Sequence, residues 1–112
     1  MVRDSYIPSR GDIVWIQFNP QAGHEQAGHR PALVVSPKAY NAKVGLVLIC
    51  PITSQVKDYP FEVLLYCVEI SGVVLADQIK SLDWRVRQAE FVCKVSTEVI
   101  TEVIAKIQVL VS

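Results

Sequence analysis

Arg30 closes a polar, glycine-bracketed stretch, Gly23-His24-Glu25-Gln26-Ala27-Gly28-His29-Arg30-Pro31. A guanidinium is a planar fork of N–H donors that fits a phosphate bidentately and keeps its proton at any ordinary pH. Pro31 pushes Arg30 towards an extended backbone, so the cation is presented where a loop feeds into a strand. Glu25 precedes it, and His24 and His29 flank the turn. Elsewhere, Thr53 offers a hydroxyl just past a proline-bent strand end. Lys57, Gln78, Lys80 and Arg87 stand at loops or on the open face of a strand. Phe18, at a strand end beside the long loop, offers a surface on which a base can stack. Trp15 and Trp84 fit core packing better. Together these groups suit the grip of a phosphodiester in single-stranded nucleic acid. The bland alternative is a hairpin loop whose charges are merely solvated.

Other chemistries find no support in the spacing. His24 and His29 have no cysteine or second carboxylate near them, so no zinc signature forms. There is no phosphate-binding glycine loop and no strand–serine–helix elbow. Cys50, Cys67 and Cys93 are scattered and odd in number, which predicts free, mostly buried thiols. No metal and no cofactor is expected.

The chain has 112 residues, 51% of them hydrophobic and 20% charged, which predicts one folded domain over residues 1–112 and excludes disorder. Its net charge is zero, but residues 1–57 carry about +3 and residues 58–112 about −3. An anion site should therefore draw on the first half, helped by Lys80, Arg85 and Arg87. No apolar run is long enough to span a membrane, and the N-terminus lacks a signal-peptide core. A cytoplasmic protein is expected.

The elements that must position these groups are short. Ile13–Phe18 is β-branched and aromatic and reads as a strand, ended by Asn19-Pro20. Ala32–Ser36 is a second strand. Tyr40–Lys43 is a turn or a short helical turn. Leu46–Cys50 is apolar throughout, and Pro51 puts its far end at an edge or bulge. Phe61–Tyr66 is a further strand, and Ser71-Gly72 a turn. Val73–Leu82 reads as one strand, with Ile79 and Leu82 on one side and Gln78 and Lys80 on the other. Trp84–Val95 holds one more strand pair, or a strand and a turn. Val99, Ile100, Val103, Ile104, Ile107, Leu110 and Val111 recur at helical spacing, with Ser96 or Thr97 as cap. Short strands with one terminal helix predict a small, partly closed β-barrel.

The segments Arg10–Trp15, His24–Ala32, Pro51–Thr53, Tyr59–Val63 and Leu75–Ser81 strongly resemble, in order, those of the MazF/PemK family of bacterial toxins, and its MazF branch most. The resemblance implies an SH3-like β-barrel shared with the CcdB gyrase poisons, with a C-terminal α-helix. It implies a homodimer in a toxin–antitoxin system that cuts single-stranded RNA without a metal. Arg30 and Thr53 fall on the family's catalytic positions. Glu25, Lys57, Gln78, Lys80 and, less closely, Arg87 fall on its RNA-contact positions. Residues 67–72 and 86–94 match poorly.

Such an enzyme needs neither a protein nucleophile nor a metal, because the ribose 2′-hydroxyl attacks the neighbouring phosphorus. Arg30 would stabilise the charge on the phosphorane, and Thr53 would fix the phosphate with a hydroxyl hydrogen bond. Arginine is a poor base, so Glu25 and His29 are candidates to assist, while the resemblance favours Arg30 as acid or acid/base. The expected antitoxin carries an acidic, disordered inhibitory segment that covers a basic groove. The competing function is a non-enzymatic, CcdB-like toxin that binds DNA gyrase, and a shared fold would not separate the two.

Overall fold

The computed structural model describes residues 6–19 and 28–112. Seven strands are β1 (Asp12–Gln17), β2 (His29–Val34), β3 (Leu46–Thr53), β4 (Glu62–Tyr66), β5 (Ser71–Leu75), β6 (Lys80–Asp83) and β7 (Glu90–Lys94). Helix α1 (Lys38–Val44) follows β2, and α2 (Thr97–Val111) ends the chain. The antiparallel sheet runs β4-β5-β3-β2-β1-β7, with β6 also paired to β3, and it curls into a half-barrel.

Alternation along the strands sorts the core into two faces. Ile13 pairs with Leu33, Leu33 with Cys50, and Ile52 with Val74; these residues, with Val63 and Leu65, form one buried cluster. Helix α2 covers it with Val99 and Val103, which are buried, and with Ile100 and Ile107. The Ser96 hydroxyl caps that helix by accepting from the Val99 amide at 3.4 Å. The predicted stripe is thus real over its first turns, while Leu110 and Val111 are exposed. Residues of the other parity, Val14, Ile16, Ala32, Val34, Val47 and Ile49, pack around Trp84 on the opposite face.

Three expectations are corrected. Val73–Leu82 is not one strand: a 3-10 turn at Ala76–Gln78 divides β5 from β6. Lys80 pairs with Ile49 and Leu82 with Val47, so Lys80 and Leu82 share a face. Strand β3 does not stop at Cys50. It runs through Pro51 to Thr53, and β3 exchanges one neighbour there, from β6 at Ile49 to β5 at Ile52. A residue without an N–H is tolerated at such a gap in a ladder. Cys67 and Cys93 are not free; their sulfurs are bonded, whereas Cys50 is free and buried.

A polar network closes the end of the Trp84 face near α1. Asn41 is fully buried. Its side-chain amide donates to the Pro8 carbonyl at 2.8 Å and to the Ser36 carbonyl at 3.2 Å, and its Oδ1 accepts from the Ser36 hydroxyl at 2.5 Å. The Trp84 indole N–H donates to the Asn41 carbonyl at 2.9 Å. Nearby, the buried Asp12 carboxylate accepts from the Ser9 amide at 3.0 Å and from the Tyr6 hydroxyl, and pairs with Lys94 at 2.7 Å.

Candidate active site

Strand parity sets Arg30 and Thr53 on the same face of the sheet. In β2–β3 the pairs are Val34 with Ile49, Leu33 with Cys50 and Ala32 with Pro51. The pairing ends there, two residues short of Arg30 and Thr53. Parity sets their direction. Arg30 is paired with Ile16 across β1 and so belongs to the Trp84 face, as does Thr53, two residues beyond Pro51 and four beyond Ile49. Lys80 joins them from β6 through its pairing with Ile49.

Thr53 is 7% exposed, and its oxygen accepts the Gln55 amide at 3.1 Å. A hydroxyl fixed in this way as an acceptor keeps its one proton to donate outward. Gly72 makes this corner possible. Its φ of +134° suits glycine, and a Cβ there would overlap the Thr53 carbonyl. Arg30 is half-buried, and its Nε has no partner among the described residues; the same holds for Gln78 Oε1 and Gln17 Oε1.

A cavity of about 230 Å³ adjoins Thr53 and is lined by Gln55, Lys57, Tyr59, Glu62, Leu75 and Gln78. It brings together Thr53, Lys57 and Gln78, all singled out in the sequence. Tyr59, Glu62 and Asp77 were not. The Tyr59 hydroxyl donates to Asp77 Oδ1 at 2.6 Å, and burial, then this hydrogen bond, pushes the phenol up to about 12. The Glu62 carboxylate accepts from the Lys57 and Asp58 amides, both at 2.9 Å. These contacts join residues from different elements, so only the motif Tyr59–Val63 and the segment containing Asp77 hinted at them.

The remaining candidates fall elsewhere. Phe18 is 1% exposed and belongs to the Trp84-face core, with the parity of Val14 and Ile16; it offers no stacking surface, and that expectation is withdrawn. His29 is exposed and lies on the face of β2 opposite Arg30, stacked on Trp15 at 5.5 Å. Arg87 donates from Nη1 to the Gln17 carbonyl at 3.1 Å and to the Asn19 carbonyl, bracing the strand that enters the long connection. At the base of that connection the Phe18 amide donates to the Gly28 carbonyl at 2.8 Å. Glu25 and His24 lie outside the described residues. Among the described residues, Cys67, Glu69 and Cys93 group their ligand atoms within 4.8 Å, but the bond between the two sulfurs occupies both thiols.

A curled antiparallel sheet closed by a C-terminal helix, with a polar cavity at Thr53, defines a small β-barrel protein. The chain belongs to the PemK-like, MazF-like toxins of type II toxin–antitoxin systems, whose family model matches residues 9–111. It is 51% identical over 106 residues to the endoribonuclease toxin MazF of Escherichia coli K12, covering 95% of this chain and 96% of that protein. The endoribonuclease toxin ChpB of the same organism is 40% identical, over 91% of this chain and 92% of its own. The crystal structure of MazF from Deinococcus radiodurans superposes with a TM-score of 0.92 at 53% identity, covering 96% of this chain and 98% of that one. A MazE–MazF structure from the same organism gives 0.86 at 53% identity, covering 96% and 97%. No helix among the described residues is long and apolar enough to cross a membrane.

Proposed function

We propose that the chain, acting as one toxin domain over residues 1–112, is a sequence-specific endoribonuclease that cuts single-stranded mRNA in the cytoplasm. It does so as a homodimer without a metal, halts translation and growth, and is silenced by an antitoxin with an acidic, disordered inhibitory segment. The observation that carries this is the parity that sets Arg30 and Thr53 on one face of neighbouring strands, with Thr53 on the wall of a polar cavity. The relatives named as endoribonucleases and the MazE-bound structures support the RNA and the antitoxin.

The RNA's 2′-oxygen attacks the adjacent phosphorus, and the bond from phosphorus to the 5′-oxygen breaks. The products are a 2′,3′-cyclic phosphate and a 5′-hydroxyl. One proton leaves the 2′-hydroxyl and one reaches the departing 5′-oxygen. Arg30 donates to the non-bridging oxygens, where charge grows, and is the group suited to protonate the leaving oxygen. Thr53 donates its free hydroxyl proton and fixes the phosphate for in-line attack. Lys57, Gln78 and Lys80 hold the strand on either side. Glu25 is the assisting candidate of choice, because His29 belongs to the other face.

The test uses purified protein and a defined single-stranded RNA in EDTA. Cleavage with 5′-hydroxyl ends is expected. A deoxy substitution at the scissile nucleotide should block cutting while leaving binding in place, and duplex RNA should resist. Near-wild-type cleavage by Arg30→Ala would remove the central assignment.

A further inference from the structure

We infer that Glu62 is a positioning residue: its carboxylate shapes the loop that holds Lys57 over the cavity, and it acts on RNA only through Lys57. The inference rests on the proposed function, in which Lys57 holds the RNA backbone. Three observations carry it. Both carboxylate oxygens of Glu62 are engaged, Oε2 by the Lys57 amide and Oε1 by the Asp58 amide, each at 2.9 Å. Asp58 has a φ of +60°, a left-handed backbone that a non-glycine residue adopts only when its surroundings impose it. Glu62 and Lys57 line the same cavity as Thr53 and Gln78.

The arrangement solves an electrostatic problem. A carboxylate lining an anion-binding cavity should repel the ligand. Here its lone pairs face two backbone N–H groups, which stabilise its charge and direct it into the loop. Both amides lie in the turn that carries Lys57, so the same contact sets the backbone from which the ammonium extends. Tyr59 ties the far side of that loop to the Ala76–Gln78 turn through Asp77, which anchors Gln78 on the opposite wall. Lysine is a flexible point charge; a fixed backbone is what limits where its ammonium can go.

The experiment is a double-mutant cycle on a fluorogenic single-stranded RNA, with Glu62→Ala, Lys57→Ala and the pair. Each variant is also tested for binding to the same RNA carrying a deoxy scissile nucleotide, and Glu62→Asp serves as the conservative variant. Glu62→Ala and Lys57→Ala should each weaken binding and raise KM by about tenfold, the weight of one well-placed charged contact, with kcat within about twofold. The double variant should be no worse than either single one, because both remove the same interaction. Glu62→Asp should recover part of the loss. Multiplicative losses in the double variant, or wild-type binding by Glu62→Ala, would overturn the inference. If Glu62→Ala merely lowers the urea midpoint while the folded fraction binds normally, it is overturned as well. Loss of the ribonuclease reading shows differently. If wild type binds no RNA, both fall together. If Arg30→Ala still cuts while the Glu62–Lys57 coupling persists in binding, the catalytic assignment fails and the positioning role stands.

Discussion

The two ends of the Trp84 face treat polar groups in opposite ways. Near α1, Ser36, Asn41 and Trp84 satisfy one another and the Pro8 carbonyl with no buried donor or acceptor left over. At the other end, Arg30 Nε is buried without a partner among the described residues. The core between them is continuous and apolar, so the difference is not one of burial. A closed network contributes to stability because each member would be costly alone. An open one costs stability and is kept where a ligand completes it.

That contrast predicts separable phenotypes. The largest effect belongs to Arg30→Ala, expected to lower kcat by about 10²–10³-fold, the usual cost of losing one donor to a developing charge. Its urea midpoint should equal or exceed wild type, since a buried donor without a partner among the described residues is removed. A clear loss of stability would erase the contrast. Next comes Asn41→Ala, expected to destabilise the fold by about 2–3 kcal/mol through stranded partners, read by urea unfolding. Its cleavage rate per folded molecule should not change.

Alkaline pH sharpens the comparison from between the two ends. Burial pushes the Cys50 thiol up to about 12, with the Asp77 carboxylate a lesser cause. The unfolded chain then loses the thiol proton near pH 9 while the folded chain keeps it. The native state binds more protons in that window, so stability falls from about pH 9 up to about pH 12, by at most about 1.4 kcal/mol per pH unit for this group. Tyr6, raised mainly by burial and then by Asp12, acts with the same sign above pH 10. Urea midpoints across that range check the slope. At pH 8, alkylation of Cys50 should track unfolding; labelling of native protein would contradict its burial. The smallest effect is expected for Tyr59→Phe, which removes one hydrogen bond to Asp77. A rise in KM of roughly twofold to threefold is expected, with the urea midpoint lower by less than about 1 kcal/mol.

Local signals in the sequence predicted what local physics decides. The period of Val99, Ile100, Val103 and Ile107 gave α2, and the β-branched run Ile13–Phe18 gave β1. Arg30 and Thr53 were singled out by residue type, turn chemistry and family resemblance. That they share a face was not legible, because it depends on pairing β2 with β3. Phe18 was misassigned because adjacency to a polar loop was weighed above strand parity, and parity decides which face a side chain takes. Glu62, Asp77 and Gly72 were passed over for a related reason. Each acts through a backbone or hydroxyl group in another element, and no spacing within one segment reveals that. The Cys67–Cys93 bond joins the end of β4 to β7, the two outermost strands of the sheet path, a juxtaposition that only closure of the sheet creates.

The exchange of partners along β3 at Pro51 has a consequence for synthesis. Arg30 and Thr53 are both translated in the first half of the chain, yet the strand that abuts Thr53 begins only at Ser71, and Gln78 and Lys80 come later still. A nascent polypeptide therefore holds Arg30 and Thr53 well before Leu75 and Gln78, which complete the cavity beside Thr53, have left the ribosome.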